Sequence, residues 1–427
     1  MPGLRRAPPG RRLLSDPRRR RHAARHRARD GGARAAARVS EDVAIAPGAL
    51  TGVRVVEVAQ YVTGPYAAML LADMGADVVK VEEPERGDPF RGWEEGGYGA
   101  TFRGLNRNKR SVALDLKDPA GLGALRQLVE RAHVLIENHR PGVADRLGFG
   151  YEDARGWNPQ LVYCAISGFG SHGPYRDRPG YDTVGQAMSG LLSLLTDLDD
   201  PRPMGISIAD HLTGIFACYG ILGALVARRR SGEGQRVETS LLQACTAFLG
   251  ENAARYFASG DVPTRETRTR IAQVYAFRAS DGLPFVVHLS SPQKFFASLA
   301  GAIGRPELAQ DERFRSRTDR VAHHRELRAI LADAFVTAPR AEWLARLERH
   351  DVPCAPLNTL AEAFADPQVS ELGMRARITH PERGDVDLVA PGVTLEKTPL
   401  AIRRAPPTLG EHTAEVLDEL KPGQRAR

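Results

Sequence analysis

Hydrophobic positions along this chain recur in two alternating rhythms. Residues 53–59, "VRVVEVA", are a short, nearly continuous apolar run, which predicts a buried strand. The next stretch, "GPYAAMLLADMGA", switches to helical spacing, with Pro65 in its first turn and Gly75 as a stop. "DVVKVEEP" returns to a strand pattern, so residues 53–84 read as a compact βαβ unit and imply a parallel sheet. "RSVALDLKDPAGLGALRQLVERA" repeats strand then helix, and "HVLIEN" and "PQLVYCAIS" add two more strands. Strands alternating with helices to about residue 250 predict an open α/β domain.

The rhythm then changes. "QVYAFRASDGLPFVVHLS" predicts a hairpin turning at Asp281-Gly282. "HHRELRAILADAF" and "AEWLARLERH" are helical, and this middle stretch reads as a smaller α+β domain. "HTAEVLDEL" predicts a short final helix. The divisions expected are a tail over 1–46, a large α/β domain over 47–250, a small domain over 265–368 and a return to the large domain over 369–427.

A chain of 427 residues exceeds one ordinary core, which agrees with two domains. Its 42% hydrophobic and 26% charged residues are an ordinary soluble mixture. The net charge of +7 misleads, because residues 1–38 hold 13 Arg against 2 Asp and the remainder carries −4. That tail has almost no apolar residues, so it is expected to be disordered and dispensable. It could serve as a nucleic-acid arm or a transit peptide. The reading adopted is a start placed upstream of the true one near Val39, in an Arg-rich, GC-rich bacterial gene. Nucleic acid is therefore not an expected partner. The longest apolar run, Thr213 to Ala227, is 15 residues and short for a bilayer. Cys164, Cys218, Cys245 and Cys354 show no metal-ligand spacing and read as reduced thiols, so the expected location is the cytoplasm.

Several motifs invite chemistry. "GFGSHG" at 168–173 matches a dinucleotide loop letter for letter, but "PYRDRPGYD" follows where a helix would have to begin. "GISIA" resembles a hydrolase elbow around Ser207, yet a turn-like "DLDDPRPM" precedes it instead of a strand. Asp210 and His211 adjoin, and neighbours on a helix do not face each other. Arg107, Lys109 and Arg110 could clamp a phosphate or form a solvated basic loop. Asp210 stands at a helix start, where it could be an N-cap or a nucleophile. The positive end of the helix is expected to hold its carboxylate ionised, as a covalent mechanism needs.

Several segments in order resemble the class III CoA-transferases (CaiB/BaiF). They are "GVRVVEVAQYVTGPYAAMLLADMGADVVKVEEPERGD", "LNRNKRSVALDLK", "VLIENHRPGVADRLGFGYED", "ISGFGSHGPYRDRPGYDTVGQAMSGL", "GISIADHLTGIFACYGILGAL", "GEGQRVETSLL", "HDVPCAPLNTLAEAFADPQV" and "APPTLGEHTAEVL". The resemblance spans about residues 50–420. It implies a Rossmann-like large domain with a parallel sheet built from both chain ends, a smaller α+β middle domain and an interlocked homodimer. It also implies CoA transfer from an acyl-CoA to a small carboxylic acid, with no metal or resident cofactor. Asp210 takes the family's nucleophile position, Asp182 is a second carboxylate nearby, and Val62, Leu114, Lys117, Asn138 and Arg146 match CoA-binding positions. Arg107 and Lys109 are carried as further CoA contacts. Glu83 stands where some members place a CoA-binding arginine. No glycine-rich loop occurs around residues 270–300, which points away from formyl or oxalyl substrates, and "RPGYDTVGQAMSGL" is most similar to succinyl-CoA-dependent members. The alternative within the family is an α-methylacyl-CoA racemase. Such enzymes pair an aspartate with a histidine, and Tyr181 replaces that histidine with a phenol of ordinary pKa about 10, a poor base at neutral pH. Outside the family, the alternative is a Ser207 hydrolase.

Overall fold

The computed structural model describes residues 37–38 and 46–421 except Ser291. Six parallel strands form its central sheet: β1 (Arg54–Val58), β2 (Asp77–Glu82), β3 (Lys109–Ala113), β4 (Val134–Glu137), β5 (Val162–Ser167) and β6 (Gln235–Ser240). Their order is β3-β2-β1-β4-β5-β6. The chain thus runs outward from β1 to one edge, returns to pair β4 with β1, and continues to the other edge. All six carboxyl ends lie along one side, and the order reverses between β1 and β4.

Both faces of the sheet are apolar because both are covered. Val55, Val78, Val134 and Val162 face one way, against Ala68 and Leu71 of helix α1 (Thr63–Asp73). Val56, Val79, Leu135 and Tyr163 face the other, against Leu125 and Val129 of helix α2 (Pro119–Glu130). This alternation explains why the strands read as continuous apolar runs. Asp118 caps α2 by accepting the Ala120 N–H, and Gly75 follows α1 with a φ of +101° that few other residues adopt.

Two further helices carry the acids of interest. Helix α3 spans Asp182–Met188, and helix α4 spans Ile208–Ser231. The apolar run at 213–227 lies inside α4, which is longer than its apolar part because polar residues extend both ends. Among the described residues it is the one helix long and apolar enough to cross a bilayer by length and composition. Its Ala217, Ile221 and Ala224 are buried in the same cluster as α1 and β5, as in a core helix.

A separate antiparallel sheet joins β7 (Val274–Arg278), β8 (Pro284–His288) and β9 (Cys354–Pro356) in the order β9-β8-β7. Phe277, Phe285, Phe335 and Trp343 pack in its core, and Gly282 takes φ +75° in the hairpin turn. Strand β10 (Arg375–His380) pairs with β11 (Gly384–Val389).

Two expectations are corrected. The strands of the parallel sheet all come from residues 54–240, so that sheet is not built from both chain ends. The C-terminal segment contributes helix α5 (Thr413–Glu419), whose start covers the β3 edge through His412 N–H to Ser111 O and Ala113 N–H to Thr413 Oγ1. Arg110 fastens α5 by pairing with Asp77, Glu415 and Glu419. The second correction concerns residues 1–46, expected to be wholly disordered. Ala37 and Arg38 pair in parallel with Ala376 and Arg377. Residues 1–36 and 39–45 lie outside the described residues.

Candidate active site

Where the strand order of an open α/β sheet reverses, the two flanking loops diverge and leave a crevice beyond the carboxyl ends. Here that crevice lies between the loops after β1 and β4. Asn138, just past β4, clamps them together. Its Oδ1 accepts the Gln60 N–H at 2.9 Å, and its Nδ2 donates to Gln60 O at 2.6 Å and Thr63 Oγ1 at 3.0 Å. Tyr61 between them adopts φ +63°, a strained conformation for a non-glycine residue. A buried ion cluster sustains it. Lys80 Nζ donates to Glu57, Ala59 O and Asp88, while Asp88 Oδ1 accepts the Tyr61 N–H at 3.2 Å.

The crevice opens into a cavity of about 860 Å³ lined by Val62, Asn138, Tyr181, Asp182, Ser207 and Asp210, among others. Asp210 is the third residue of α4 and lies half-buried in the cavity wall. Asp182, the first residue of α3, accepts the Asp210 N–H on Oδ1 at 3.2 Å and Gln186 Nε2 on Oδ2 at 2.6 Å. The helix-cap expectation is therefore corrected: Ser207 occupies the N-cap position, and the Asp210 side chain caps nothing. So is its ionisation. Burial first, and the neighbouring Asp182 charge second, push the Asp210 carboxyl up to about 7. Desolvation and a like charge outweigh the favourable end of one helix.

A smaller cavity of about 180 Å³ adjoins, lined by Glu83, Leu114 and Lys117, and Gln60 and His139 line both. Val62 and Asn138 thus line the larger cavity, and Leu114 and Lys117 the smaller one beside it. Arg146 lies exposed on the short helix Val143–Arg146; its neighbours Val143 and Leu147 line the two cavities and Arg146 lines neither. Glu83 turns back on its own loop, accepting the Arg86 N–H at 2.8 Å.

Arg107 and Lys109 fit neither of their readings. Arg107 is buried and binds Asp73 through two nitrogens at 2.9 and 2.6 Å. Lys109 is fully buried and spends its ammonium on Glu57, Pro65 O and Asn106. Each lies in a run of polar letters that looked solvated. The carboxylates that bury them are more than 30 residues away in the chain, so both bind α1 and the sheet rather than a phosphate.

The competing motifs also resolve. No strand precedes Ser207 within residues 201–206. Its Oγ is 3.2 Å from His211 Nδ1, but that nitrogen lies 2.7 Å from Ser207 O. A carbonyl only accepts, so Nδ1 carries the proton and cannot serve Ser207 as a base. No helix follows "GFGSHG"; residues 171–181 form turns and bends before α3. Sequence reasoning missed Gln186, fully buried behind Asp182, whose Oε1 has no hydrogen-bond partner. An uncharged Gln in a helical stretch gave no signal.

Comparison with known proteins follows the same lines. Residues 50–413 match the model of CoA-transferase family III. A succinate–glutarate CoA-transferase of Agrobacterium fabrum is 38% identical over 388 residues, 88% of this chain and 96% of that protein. A succinyl-CoA–D-citramalate CoA-transferase of Chloroflexus aurantiacus is 34% identical over 381 residues, 88% of this chain and 94% of that one. The crystal structure of a CaiB/BaiF family protein from Brucella suis superposes with a TM-score of 0.78 at 36% identity, covering 88% of this chain and 100% of that one. A crevice at the strand reversal with two carboxylates in its wall, on a chain matched to this family nearly end to end, belongs to a CoA-transferase of family III.

Proposed function

We propose that this enzyme moves CoA from succinyl-CoA to a short dicarboxylic acid, with Asp210 as the nucleophile. The observation carrying this reading is the half-buried Asp210 carboxylate in a cavity that shares Gln60 and His139 with the one lined by Leu114 and Lys117. Asp210 attacks the thioester carbonyl; the C–S bond breaks and CoA leaves as thiolate, giving a mixed anhydride. The thiolate then attacks the aspartyl carbon, releasing succinate and leaving an aspartyl-CoA thioester. The acceptor carboxylate attacks that thioester, and the returning thiolate takes the new acyl group. The Asp210 carboxylate is regenerated and the CoA ends in the new thioester, with no net proton and no water, so the site's task is to exclude water and present an ionised aspartate. Assay of the purified protein with succinyl-CoA against a panel of mono- and dicarboxylic acids tests the reading; hydrolysis alone, with no acyl-CoA product, would refute it.

Val62, Asn138, Leu114 and Lys117 are the CoA contacts this reading uses, with Arg146 exposed on the short helix between Val143 and Leu147. The large part over 47–250, the small domain over 265–368 and the return over 369–427 are its domain divisions, in a cytoplasmic homodimer. The relatives' activities and an exposed apolar stripe on α4 support it: Ile215, Tyr219 and Val226 follow helical spacing and stand 47%, 73% and 60% exposed. Contiguous exposed apolar residues mark contact surfaces. Light scattering on the eluted protein should give about twice the chain mass of 46.5 kDa, and Tyr219→Asp should shift it toward one chain. A wild-type monomer would remove the dimer from this reading.

Transfer rather than racemisation has its own check. Tyr181 stands 63% exposed at the cavity mouth, edge-on to Tyr61. Incubation of a 2-methylacyl-CoA in deuterated water should leave its α-carbon unlabelled by mass spectrometry, whereas rapid uptake would restore the racemase alternative.

A further inference from the structure

Succinyl and glutaryl groups share a feature that a CoA-transferase need not require: a second carboxylate, away from the reacting one. Resting on the reading above, one aspartate serves both half-reactions, so donor acyl group and acceptor occupy the same space in turn. A single cationic subsite would then serve both distal carboxylates. On that reading the CoA arm takes the side of Leu114 and Lys117, which line the adjoining cavity. The distal carboxylate needs a cation elsewhere in the wall.

We propose that Arg178, with Arg176 at the rim, binds the distal carboxylate of both donor and acceptor. Both line the cavity that holds Asp210, on the loop between β5 and α3 that delivers Tyr181 and Asp182. The base of that loop is fixed: Gly168 and Gly180 pack backbone to backbone, so closely that a Cβ on Gly168 would lie 3.1 Å from Gly180 Cα. Arg178 is two residues before Gly180. Its N–H donates to Tyr175 O at 3.0 Å, and its guanidinium lies 4.6 Å from the Tyr175 ring centroid and 5.8 Å from that of Phe169. Aromatic faces hold the plane while leaving its edge N–H groups unspent, the arrangement that suits bidentate capture of a carboxylate. Among the described residues no carboxylate forms an ion pair with Arg178; Arg176 has only Asp177 at 4.0 Å. The other basic side chains of the cavity fit the role less well. His211 is tied to Ser207 O, while His139 and its neighbour Arg140 extend the Asn138 loop on the CoA side.

Matched substrates test this in the full-length enzyme. Glutarate is compared with pentanoate as acceptor, and succinyl-CoA with butyryl-CoA as donor, each pair equal in carbon number and differing in the distal carboxylate. In Arg178→Ala the ratio of kcat/KM for glutarate over pentanoate should fall about 10- to 100-fold, the effect of losing a charge-assisted pair. The succinyl-over-butyryl ratio should fall with it, and Arg178→Lys should recover part of both. An unchanged ratio, or a loss confined to an Arg140→Ala control, overturns the proposal while leaving CoA transfer intact. Absence of transfer to any acid by the wild-type enzyme overturns the underlying reading instead.

Discussion

Asp210→Ala is expected to lower CoA transfer by about 10³-fold or more, since neither alanine nor asparagine can form the anhydride. Its effect on stability should run the other way. The Asp210 carboxyl is raised to about 7 by burial and by Asp182. A carboxyl that binds its proton more tightly in the folded than in the unfolded chain costs stability once the pH passes its unfolded value. That cost grows between about pH 4 and pH 7 and then stays level, at a few kcal/mol in order of magnitude. Asp210→Asn should therefore melt at or above the wild-type temperature at pH 8, with the advantage shrinking toward pH 4. The covalent intermediate gives an independent check. Wild-type protein given succinyl-CoA and then hydroxylamine should carry a hydroxamate at residue 210, and borohydride should reduce the same thioester. A label on Ser207, or near wild-type turnover by Asp210→Ala, would end the mechanism.

Elements set by local pattern were legible in the sequence. The strands at 54–58 and 134–137 and the helix at 413–419 lie within one or two residues of the apolar runs that announced them, because burial on both sheet faces leaves a continuous signal. The hairpin at 274–288 followed from Asp281-Gly282 in the same way. Strand β9 and the β10–β11 hairpin escaped notice: β9 has three residues, and Arg375, Arg377, Asp385 and Asp387 make the hairpin look like loop while pairing across it. At the site, order along the chain located Asp210, but its electrostatics belong to the fold. The charge that helps perturb it comes from Asp182, 28 residues earlier, a proximity no local pattern encodes. Arg107 and Lys109 teach the same lesson in reverse: polar letters gave the charges, and only the folded chain, which sets Asp73 of α1 and Glu57 of β1 beside them, showed that they were already neutralised.

Asp182→Asn should separate the two causes of the Asp210 shift. Burial remains in the variant, whereas the like charge is removed, so the Asp210 carboxyl should fall part of the way from about 7 toward its ordinary range. A coupling between adjacent carboxylates is worth about one pH unit or more. In the proposed mechanism only ionised Asp210 attacks, so the acid limb of kcat/KM for succinyl-CoA should lie near pH 7 in the wild type and about one unit lower in the variant. The fold can accept the change. The amide oxygen can still take the Asp210 N–H, and the new amide N–H₂ would face Gln186, whose Oε1 is buried without a partner. A turn of the Gln186 amide would let Oε1 accept that hydrogen bond in place of the one Nε2 now donates to Asp182. Melting curves should confirm that the variant is folded. The position of the limb reports the charge coupling, and the height of the plateau reports any further part Asp182 plays with substrate. A folded variant whose acid limb stays at the wild-type pH would show that the Asp182 charge does not set the ionisation of Asp210 and that burial alone raises it.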